Sequence, residues 1–489
     1  MKFISTRKGI GATSAESVFQ GLAPDGGLYV PQLGSVAVDG SRLQSIATLR
    51  DAEEFVMSYL FDDLPAEVRS AAADRLCARF PEGDPIPLVE KDSLHILELF
   101  HGRTGAFKDV ALSMLPVYMR HAAAGKRVLI LTATSGDTGS AAMQGFAGVE
   151  GTEIIVFYPA TGTSKIQRLQ MTTPADANVH AVGIRGNFDD AQAAVKRIFA
   201  DPAIAADAAA HGITLSSANS INTGRLIPQV AYYILAGAKL GGKEFDVVVP
   251  SGNFGNILAA YYAKLLGSPI RKLVVASNIN DVLARFVKTG VYDPGAKFTV
   301  TNSPSMDIRI SSNVERLLWM INYEVKVEDE GEEAAVKFAC AEVSRMMKDL
   351  KEKGRYELNE KAKAKLFADF TGGVATPEET EAEMRRMREA CGYLLDPHTA
   401  VATFVAKKYQ NGTLDPSTSS STSPFNSSLP VVVAATATPY KFPETCLRAF
   451  GEDVLTDPPP SFKDLEKLPI AQTRVCDVDK IDEEVTRLF

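Results

Sequence analysis

The sequence predicts an α/β fold in which parallel β-sheets carry helices on both faces. From about residue 126 onwards, short runs of β-branched residues alternate with helical stretches such as 189–200 and 257–266. Short loops rich in glycine and hydroxyl residues separate the two. The runs that we expect to be strands are 128–131, 154–157, 179–184, 247–249, 273–275 and 431–433. Strands that alternate with helices form parallel sheets, whose ligands bind at the carboxyl ends of the strands.

The chain is expected to divide into three regions. Its 489 residues are too many for a single hydrophobic core. Residues 1–95 mix helix and loop and are predicted to form an N-terminal domain, followed by a small α/β lobe at 96–225 and a large α/β lobe at 226–489. Within the large lobe, the Ser/Thr/Pro-rich stretch 415–430 is predicted to be a low-complexity loop, because it has too few apolar residues to order itself.

The composition argues against several classes of protein. A net charge of −8 disfavours nucleic acid as a partner. The first seven residues lack the apolar core of a secretion signal, and no apolar run approaches the roughly 20 residues of a membrane span. Five scattered cysteines and six scattered histidines show no disulfide or metal-ligand spacing. We therefore expect a cytoplasmic protein that acts on a small molecule without a metal.

Lys108 is the candidate catalytic lysine. Small residues lead into it, Ala106 and Phe107 flank it, and a helical stretch begins at Val110. Desolvation in an apolar setting lowers the pKa of an amine and favours the neutral nucleophile that a Schiff base requires. Taken alone, the segment also fits a lysine whose stem packs while its ammonium reaches water. Pro116 makes a regular helix less certain to follow.

Two loops between a strand and a helix have the character of anion sites. The first is 134–139, Thr-Ser-Gly-Asp-Thr-Gly, and the second is 251–256, Ser-Gly-Asn-Phe-Gly-Asn. Glycines let the backbone approach a ligand, and free N–H groups at a helix start bind a carboxylate or phosphate. The first loop also fits an ordinary N-capped turn. The second loop matches neither a nucleotide-triphosphate nor a dinucleotide motif, so a phosphate without a nucleoside fits it better.

A fourth segment, 435–443, follows the predicted strand at 431. It supplies the hydroxyl of Thr436 at a strand end and then Lys441, although a strand end with a proline turn is also consistent. A lysine, two anion-binding loops and a hydroxyl together match the needs of pyridoxal 5'-phosphate and an amino-acid substrate. This cofactor requires an amine for its aldehyde, a phosphate site and a partner for its ring nitrogen.

Motifs along nearly the whole chain resemble those of the threonine synthase family. The resemblance rests on Ser5-Thr6-Arg7, on 21–31 (GLAPDGGLYVP), on His101-Gly102 to Asp109 around the lysine, and on 217–222 (SANSIN) followed by Arg225. It implies the fold type II group of pyridoxal-phosphate enzymes, which is like tryptophan synthase β, with two parallel-sheet lobes. It also implies a monomer or a homodimer.

The resemblance implies a role for each candidate residue. Lys108 would form the Schiff base and then act as acid and base. The cofactor phosphate would lie against Gly252, Asn253, Phe254, Gly255 and Asn256, and Thr436 would bond the pyridine nitrogen. Ser135, Asp137 and Thr138 would face the substrate carboxylate and the ring hydroxyl of the cofactor. The candidates for the substrate phosphate are Asn222, Arg225 and Lys441.

Two positions depart from the family motifs. The lysine motif usually has proline where this chain has Arg103, and the strand-end motif usually has histidine where it has Thr438. Arg103 is a candidate for an added phosphate contact, and Thr438 would change how a leaving phosphate is held. The implied reaction converts O-phospho-L-homoserine and water to L-threonine and phosphate. A phospholyase that forms 2-oxobutyrate, phosphate and ammonia, and a relative that binds without turnover, remain as alternatives.

Overall fold

The computed structural model describes residues 3–33, 38–80, 83–295, 298–414 and 429–489. Most of the predicted low-complexity loop, 415–428, lies outside these ranges. The strands are β1 (Phe3–Ser5), β2 (Gly11–Ala12), β3 (Tyr29–Pro31), β4 (Leu88–Lys91), β5 (Leu94–Glu98), β6 (Arg127–Ala133), β7 (Thr152–Pro159), β8 (Val179–Ile184), β9 (Ile213–Ser217), β10 (Phe245–Pro250), β11 (Ile270–Ser277), β12 (Val291–Tyr292), β13 (Tyr356–Glu357), β14 (Phe370–Val374), β15 (Val431–Ala435) and β16 (Arg474–Cys476).

Helices cover much of the remaining chain. They are α1 (Ser14–Gln20), α2 (Gly40–Gln44), α3 (Leu49–Leu60), α4 (Ala66–Cys77), α5 (Lys108–Ala123), α6 (Asp137–Phe146), α7 (Lys165–Thr172), α8 (Phe188–Ala200), α9 (Pro202–Ala210), α10 (Thr223–Leu226), α11 (Val230–Lys239), α12 (Gly255–Leu265), α13 (Val282–Thr289), α14 (Val314–Glu330), α15 (Glu332–Lys353), α16 (Glu360–Asp369), α17 (Pro377–Cys391), α18 (Pro397–Gln410), α19 (Pro443–Phe450) and α20 (Ile481–Thr486). Within the described ranges, no helix has both the length and the apolar character to cross a membrane.

Two mainly parallel sheets form the framework. The larger has the strand order β14-β11-β10-β15-β5-β4 and is parallel except for the β4–β5 pair, whereas the smaller has the order β16-β8-β7-β6-β9 and is wholly parallel. Each of the six predicted strand runs lies within one of their strands. The predicted α/β class, with helices on parallel sheets, is confirmed.

Distant parts of the chain contribute strands to both sheets. Strand β5 lies near residue 95 but pairs with β15, so the larger sheet takes strands from both sides of that point. Strand β16, near the end of the chain, pairs with β8 in the smaller sheet. The domain boundaries at 95 and 225 stay a prediction. A strand that joins a distant sheet leaves no sharp signal in the sequence, so the sequence alone does not locate such an exchange.

Helix α5 carries Lys108 at its first position and is continuous through Pro116. Because proline has no N–H, the carbonyl oxygen of Leu112, four residues earlier, loses its helical donor. At this point α6 packs against α5, and a Cβ atom on Gly145 would overlap the Leu112 oxygen. Arg75 also joins the two helices, since its guanidinium donates to Ser113 O at 3.1 Å and to Gly145 O at 2.8 Å. Glycine at 145 therefore allows α6 to approach the proline-interrupted turn of α5.

Replacing this glycine should loosen the helix pair. We expect Gly145→Ala to lower the free energy of unfolding by about 1–3 kcal/mol, which is typical of overpacking in a buried contact. Gly40→Ala in α2 is the matched control, since no described atom lies within 4 Å of its added Cβ. Thermal and urea unfolding of both variants would measure the effect. Equal stabilities for the two variants would contradict this account of the α5–α6 contact.

Candidate active site

The carboxyl ends of strands from both sheets open onto a cavity of about 760 Å³, which we call the main cavity. Most of the residues singled out from the sequence line it. They are Lys108, Ser135, Asp137, Thr138, Arg225, Gly252, Asn253, Phe254, Gly255, Asn256 and Thr436. Segments that lie far apart in sequence thus meet at the expected end of the strands.

The loop of residues 102–107, which we call the lysine loop, is held against the end of β15. The N–H of Phe107 donates to Thr436 O at 2.9 Å, and the N–H of Thr438 donates to Gly105 O at 3.0 Å. The hydroxyl of Tyr232 donates to Phe107 O at 2.6 Å. These bonds place Lys108 and Thr436 on the wall of one cavity.

Lys108 is largely buried, but 13% of its side-chain surface remains exposed, so its amine can be reached from the main cavity. The amine donates to Asp137 Oδ2 at 3.0 Å and lies 5.0 Å from the ring centroid of Phe107. Burial lowers the pKa of Lys108 and outweighs the opposing attraction of Asp137. The setting therefore favours a neutral amine.

Asp137, at the start of α6, is the buried anion of the site. Besides Lys108, its carboxylate accepts from Gln167 Nε2 at 2.8 Å and from Ser305 Oγ at 3.4 Å, and it pairs with Lys441 Nζ at 3.1 Å. Burial alone would raise the pKa of Asp137, but the charges of Lys108 and Lys441 hold it well below its usual range. Because Lys441 already balances this carboxylate, Lys108 can lose its proton without leaving a buried anion unpaired.

Two sequence candidates have their polar atoms engaged with protein and do not line the main cavity. Lys441 is fully buried, and its ammonium bonds Thr104 O at 2.7 Å and Gln170 Oε1 at 2.9 Å in addition to Asp137. Asn222 caps α10: its Oδ1 accepts from Gly224 N at 2.8 Å, and its Nδ2 donates to two backbone carbonyls. In the structure, both side chains hydrogen-bond to segments that are distant in sequence.

Arg225 differs from these two residues because it does line the main cavity. It is buried, and one terminal nitrogen donates to Ala218 O. Its Nε has no hydrogen-bond partner in the described part of the chain. Burial lowers the pKa of Arg225 to about 10. An anion in the cavity would therefore stabilise the charged form of this guanidinium.

The loop at 251–256 connects β10 to α12 and presents backbone amides. Phe254 adopts a left-handed conformation, with φ of +63°, and its buried ring packs on Phe370. The amides at the first turn of α12, from Gly255 onwards, have no intrahelical acceptor. The carbonyls of Gly252 and Asn253 are instead bonded by the segment 311–313. The loop therefore presents N–H groups as donors, while its carbonyl oxygens already accept hydrogen bonds from the segment 311–313.

Close packing requires glycine at position 252. A Cβ atom there would overlap the carbonyl oxygen of Ser305, whereas a Cβ on Gly255 would meet only Asn313, at 3.4 Å. Ser305 also donates its side-chain hydroxyl to Asp137. The two loops at the main cavity are thus in contact through the backbone and side chain of Ser305.

His398 is a cavity residue that the sequence reasoning missed. Its Nε2 accepts from Ser305 N at 3.1 Å, and its Nδ1 lies 2.8 Å from Asp396 Oδ1. Since Nε2 accepts, Nδ1 carries the proton, and the ring is held as one neutral tautomer. The signal available in the sequence was the helix-capping pattern Asp396-Pro397, but that pattern does not reveal that α18 begins at the cavity.

Comparison with known proteins places the chain in a family. A model described as "Threonine synthase N terminus" matches residues 2–67, "Pyridoxal-phosphate dependent enzyme" matches 85–368, and "Threonine synthase, C-terminal" matches 399–487. Threonine synthase of Saccharomyces cerevisiae is 33% identical, over 96% of this chain and 93% of that protein. The chain belongs to the threonine synthase family. It is thereby a pyridoxal-phosphate-dependent enzyme of fold type II, as the motifs predicted.

A solved structure and a further relative are also similar to this chain. A solved threonine synthase from Brucella melitensis, described as PLP-bound, has a TM-score of 0.86 and 35% identity, and the match covers 100% of this chain and 99% of that one. Human "Threonine synthase-like 1" is 36% identical over 89% of this chain but only 58% of its own length. The fold and the family are thus shown over the whole chain.

The role of Asp137 can be tested through stability and pH. Asp137→Asn should lower the stability at pH 7 by about 3–5 kcal/mol, because it leaves the buried Lys441 without its counter-charge. The folded-state pKa of Asp137 lies below the usual value, so the stabilisation is present above about pH 4 and is lost as the pH falls further. The difference between wild type and variant should therefore be constant at neutral pH and shrink below about pH 4. Urea unfolding across this range measures it.

Asp464→Asn is the matched control for this experiment. Asp464 pairs with Lys467 at 2.6 Å on the surface, where 62% and 80% of the two side chains are exposed. A solvent-exposed pair of this kind contributes little to stability, because water and salt screen the attraction. A loss for Asp137→Asn no larger than that of Asp464→Asn would show that the buried carboxylate does not hold the site together.

Proposed function

We propose that this chain converts O-phospho-L-homoserine and water to L-threonine and phosphate, with Lys108 as its central catalytic residue. The observation that carries the proposal is the position of the Lys108 amine, on the wall of the main cavity and 3.0 Å from Asp137, in a chain of the threonine synthase family. We further propose that it works in the cytoplasm as a monomer or a homodimer, without nucleic acid.

The residues around the main cavity fit pyridoxal 5'-phosphate. Lys108 offers an accessible amine, the amides of 252–256 at the start of α12 offer donors for a phosphate, and Thr436 offers a hydroxyl. A hydroxyl is a neutral partner for a ring nitrogen, so it would not stabilise a protonated ring as a carboxylate would. When bound, the cofactor takes up the electron pair left at Cα after that carbon loses its proton.

Proton movement is the task of Lys108. Burial lowers the pKa of Lys108, which makes its amine a better candidate to accept a proton, and Asp137 stabilises the ammonium form after transfer. The reaction requires removal of protons from Cα and Cβ, departure of phosphate from Cγ, and reprotonation at Cγ. Water then supplies a hydroxyl group to Cβ, and a proton returns to Cα. The amine of Lys108 can serve these transfers in turn because they lie on neighbouring carbons.

The substrate's two anionic groups need separate donors. Ser135 and Thr138 line the cavity beside the start of α6, so they suit the carboxylate. Arg225 is supported as a contact for the substrate phosphate, because its Nε lacks a partner in the described residues and faces no competing carboxylate at hydrogen-bond distance. Asn222 and Lys441 would have to exchange existing bonds to reach a ligand, and Arg103 lies elsewhere.

The main alternative is a phospholyase that releases 2-oxobutyrate, phosphate and ammonia from the same substrate. The same lysine, amide loop and carboxylate site would serve it, and proteins named threonine synthase-like 1 are about as similar to this chain as the synthases. The two reactions differ in whether water adds at Cβ. That step depends on how water reaches the covered substrate.

Product identification separates these reactions. With O-phospho-L-homoserine and pyridoxal phosphate, we expect one threonine for each phosphate released, as measured by chromatography and a phosphate assay. O-phospho-L-serine, one carbon shorter, is the control for substrate selection. Accumulation of 2-oxobutyrate and ammonia in place of threonine would identify the chain as a phospholyase.

Replacement of Lys108 tests the central assignment. In deuterated water, the wild type should introduce deuterium at Cα and Cγ of threonine, whereas Lys108→Ala should leave Cα of the substrate unexchanged. Loss of acid–base catalysis alone costs about 100- to 10,000-fold. NMR of both reactions measures the exchange, and Lys165→Ala, at a lysine with 50% exposure, is the control. Exchange at the wild-type rate in Lys108→Ala would show that another residue is the base.

A further inference from the structure

A second cavity of about 540 Å³ lies on the other side of the lysine loop from the main cavity. Residues 100–103 line the second cavity, whereas Phe107 and Lys108 line the main one. Its walls are largely aromatic, formed by Phe80, Phe100, Tyr393, Tyr440 and Phe462. Flat apolar walls of this kind accommodate a ring by stacking and edge contacts.

Arginines supply the charge of this cavity. Arg79 and Arg103 line it, and Arg75 lies close enough to affect both electrostatically. Within the described ranges, none of the three forms an ion pair with a carboxylate. Burial, with added repulsion from the other two arginines, outweighs the attraction of Asp109 and lowers the pKa of Arg79 to about 10. An anion placed between Arg79 and Arg103 would relieve this repulsion.

The carboxylates nearby are already engaged. Asp109 accepts from the backbone N–H of Thr104 at 2.9 Å and from its hydroxyl at 2.7 Å. Glu98 is bonded by His101 at 2.7 Å and by the hydroxyl of Tyr393 at 2.6 Å. Asp109 lies beside Arg79 and Arg103 in a small neighbouring cavity and offsets part of their charge. Neither carboxylate forms an ion pair with either arginine, so positive charge remains available to a ligand at the second cavity.

Both departures from the family motifs line this cavity. Arg103 stands where the motif has proline, and Thr438 stands where it has histidine. Thr438 also packs tightly on the lysine loop: Gly105 has φ of +69°, and a Cβ there would overlap both Thr438 and Phe462. Thr438 and the lysine loop are therefore packed together at this wall of the second cavity.

We propose that the second cavity is a binding site for a small organic anion, in which a carboxylate, sulfonate or phosphate group is attached to a flat apolar ring. The anionic group lies between Arg79 and Arg103, and the ring lies among the aromatic side chains. The site is separate from the main cavity and does not depend on the proposed reaction. Because the lysine loop divides the two cavities, a ligand there contacts the segment that positions Lys108.

The test uses two fluorescent dyes that differ in charge. 8-Anilinonaphthalene-1-sulfonate is an aromatic anion, and N-phenyl-1-naphthylamine has the same rings without the sulfonate. Both are titrated into the holoenzyme after free cofactor has been removed. Arg103→Gln is the test variant, since Arg103 is exposed and forms no described ion pair, so the fold should be unaffected. Arg168→Gln is the matched control, because Arg168 is also exposed and lines neither cavity.

We expect the wild type and Arg168→Gln to bind the sulfonate equally, with about one site per chain. Arg103→Gln should weaken the Kd for the sulfonate by about five- to tenfold, as for the loss of one charge-assisted hydrogen bond, and leave the neutral dye unchanged. Equal sulfonate affinity in Arg103→Gln and wild type would overturn the proposal. So would an equal loss for both dyes, since the cavity would then not be recognising charge.

Discussion

The buried carboxylate of Asp137 is the contact on which the main cavity depends. It lies at the start of α6 and bonds Lys108 of α5, Gln167 of α7, Lys441 after β15, and Ser305. A buried charge is stable only when it is paired and fully hydrogen-bonded, so these segments are held in one arrangement. The carboxylate also pairs with Lys441, so loss of the proton from Lys108 would leave Asp137 with a balancing charge.

The two parallel sheets give this contact its setting. Their strands end at the same cavity, where the helix starts of α6 and α12 provide amide groups and the end of β15 provides Thr436. Ser305 links these loops, since its carbonyl packs on Gly252, its N–H donates to His398 and its hydroxyl donates to Asp137. The residues that we propose for cofactor binding, substrate binding and proton transfer are therefore connected through a few short contacts.

The lysine loop lies between the main cavity and the second cavity. On one side it carries Lys108, and on the other it carries Arg103. Its glycines are required by packing, since a Cβ on Gly102 would overlap Asp109 and one on Gly105 would overlap Thr438. A side chain larger than hydrogen at either glycine would therefore force the loop or its neighbours to shift.

The sequence by itself determined the α/β class, the six strand runs, and the position of the glycine-containing loops and of the candidate lysine. Each of these depends on a local pattern, such as β-branched runs or glycines before a helix, which a single segment displays. Only the tertiary structure decided that β5 and β16 join sheets built from distant strands. It also decided that Arg225 and His398 line the main cavity, whereas Asn222 and Lys441 are engaged with other parts of the protein. The physical reason is that a polar side chain's role depends on which distant donors and acceptors satisfy it, and these are brought together only by folding.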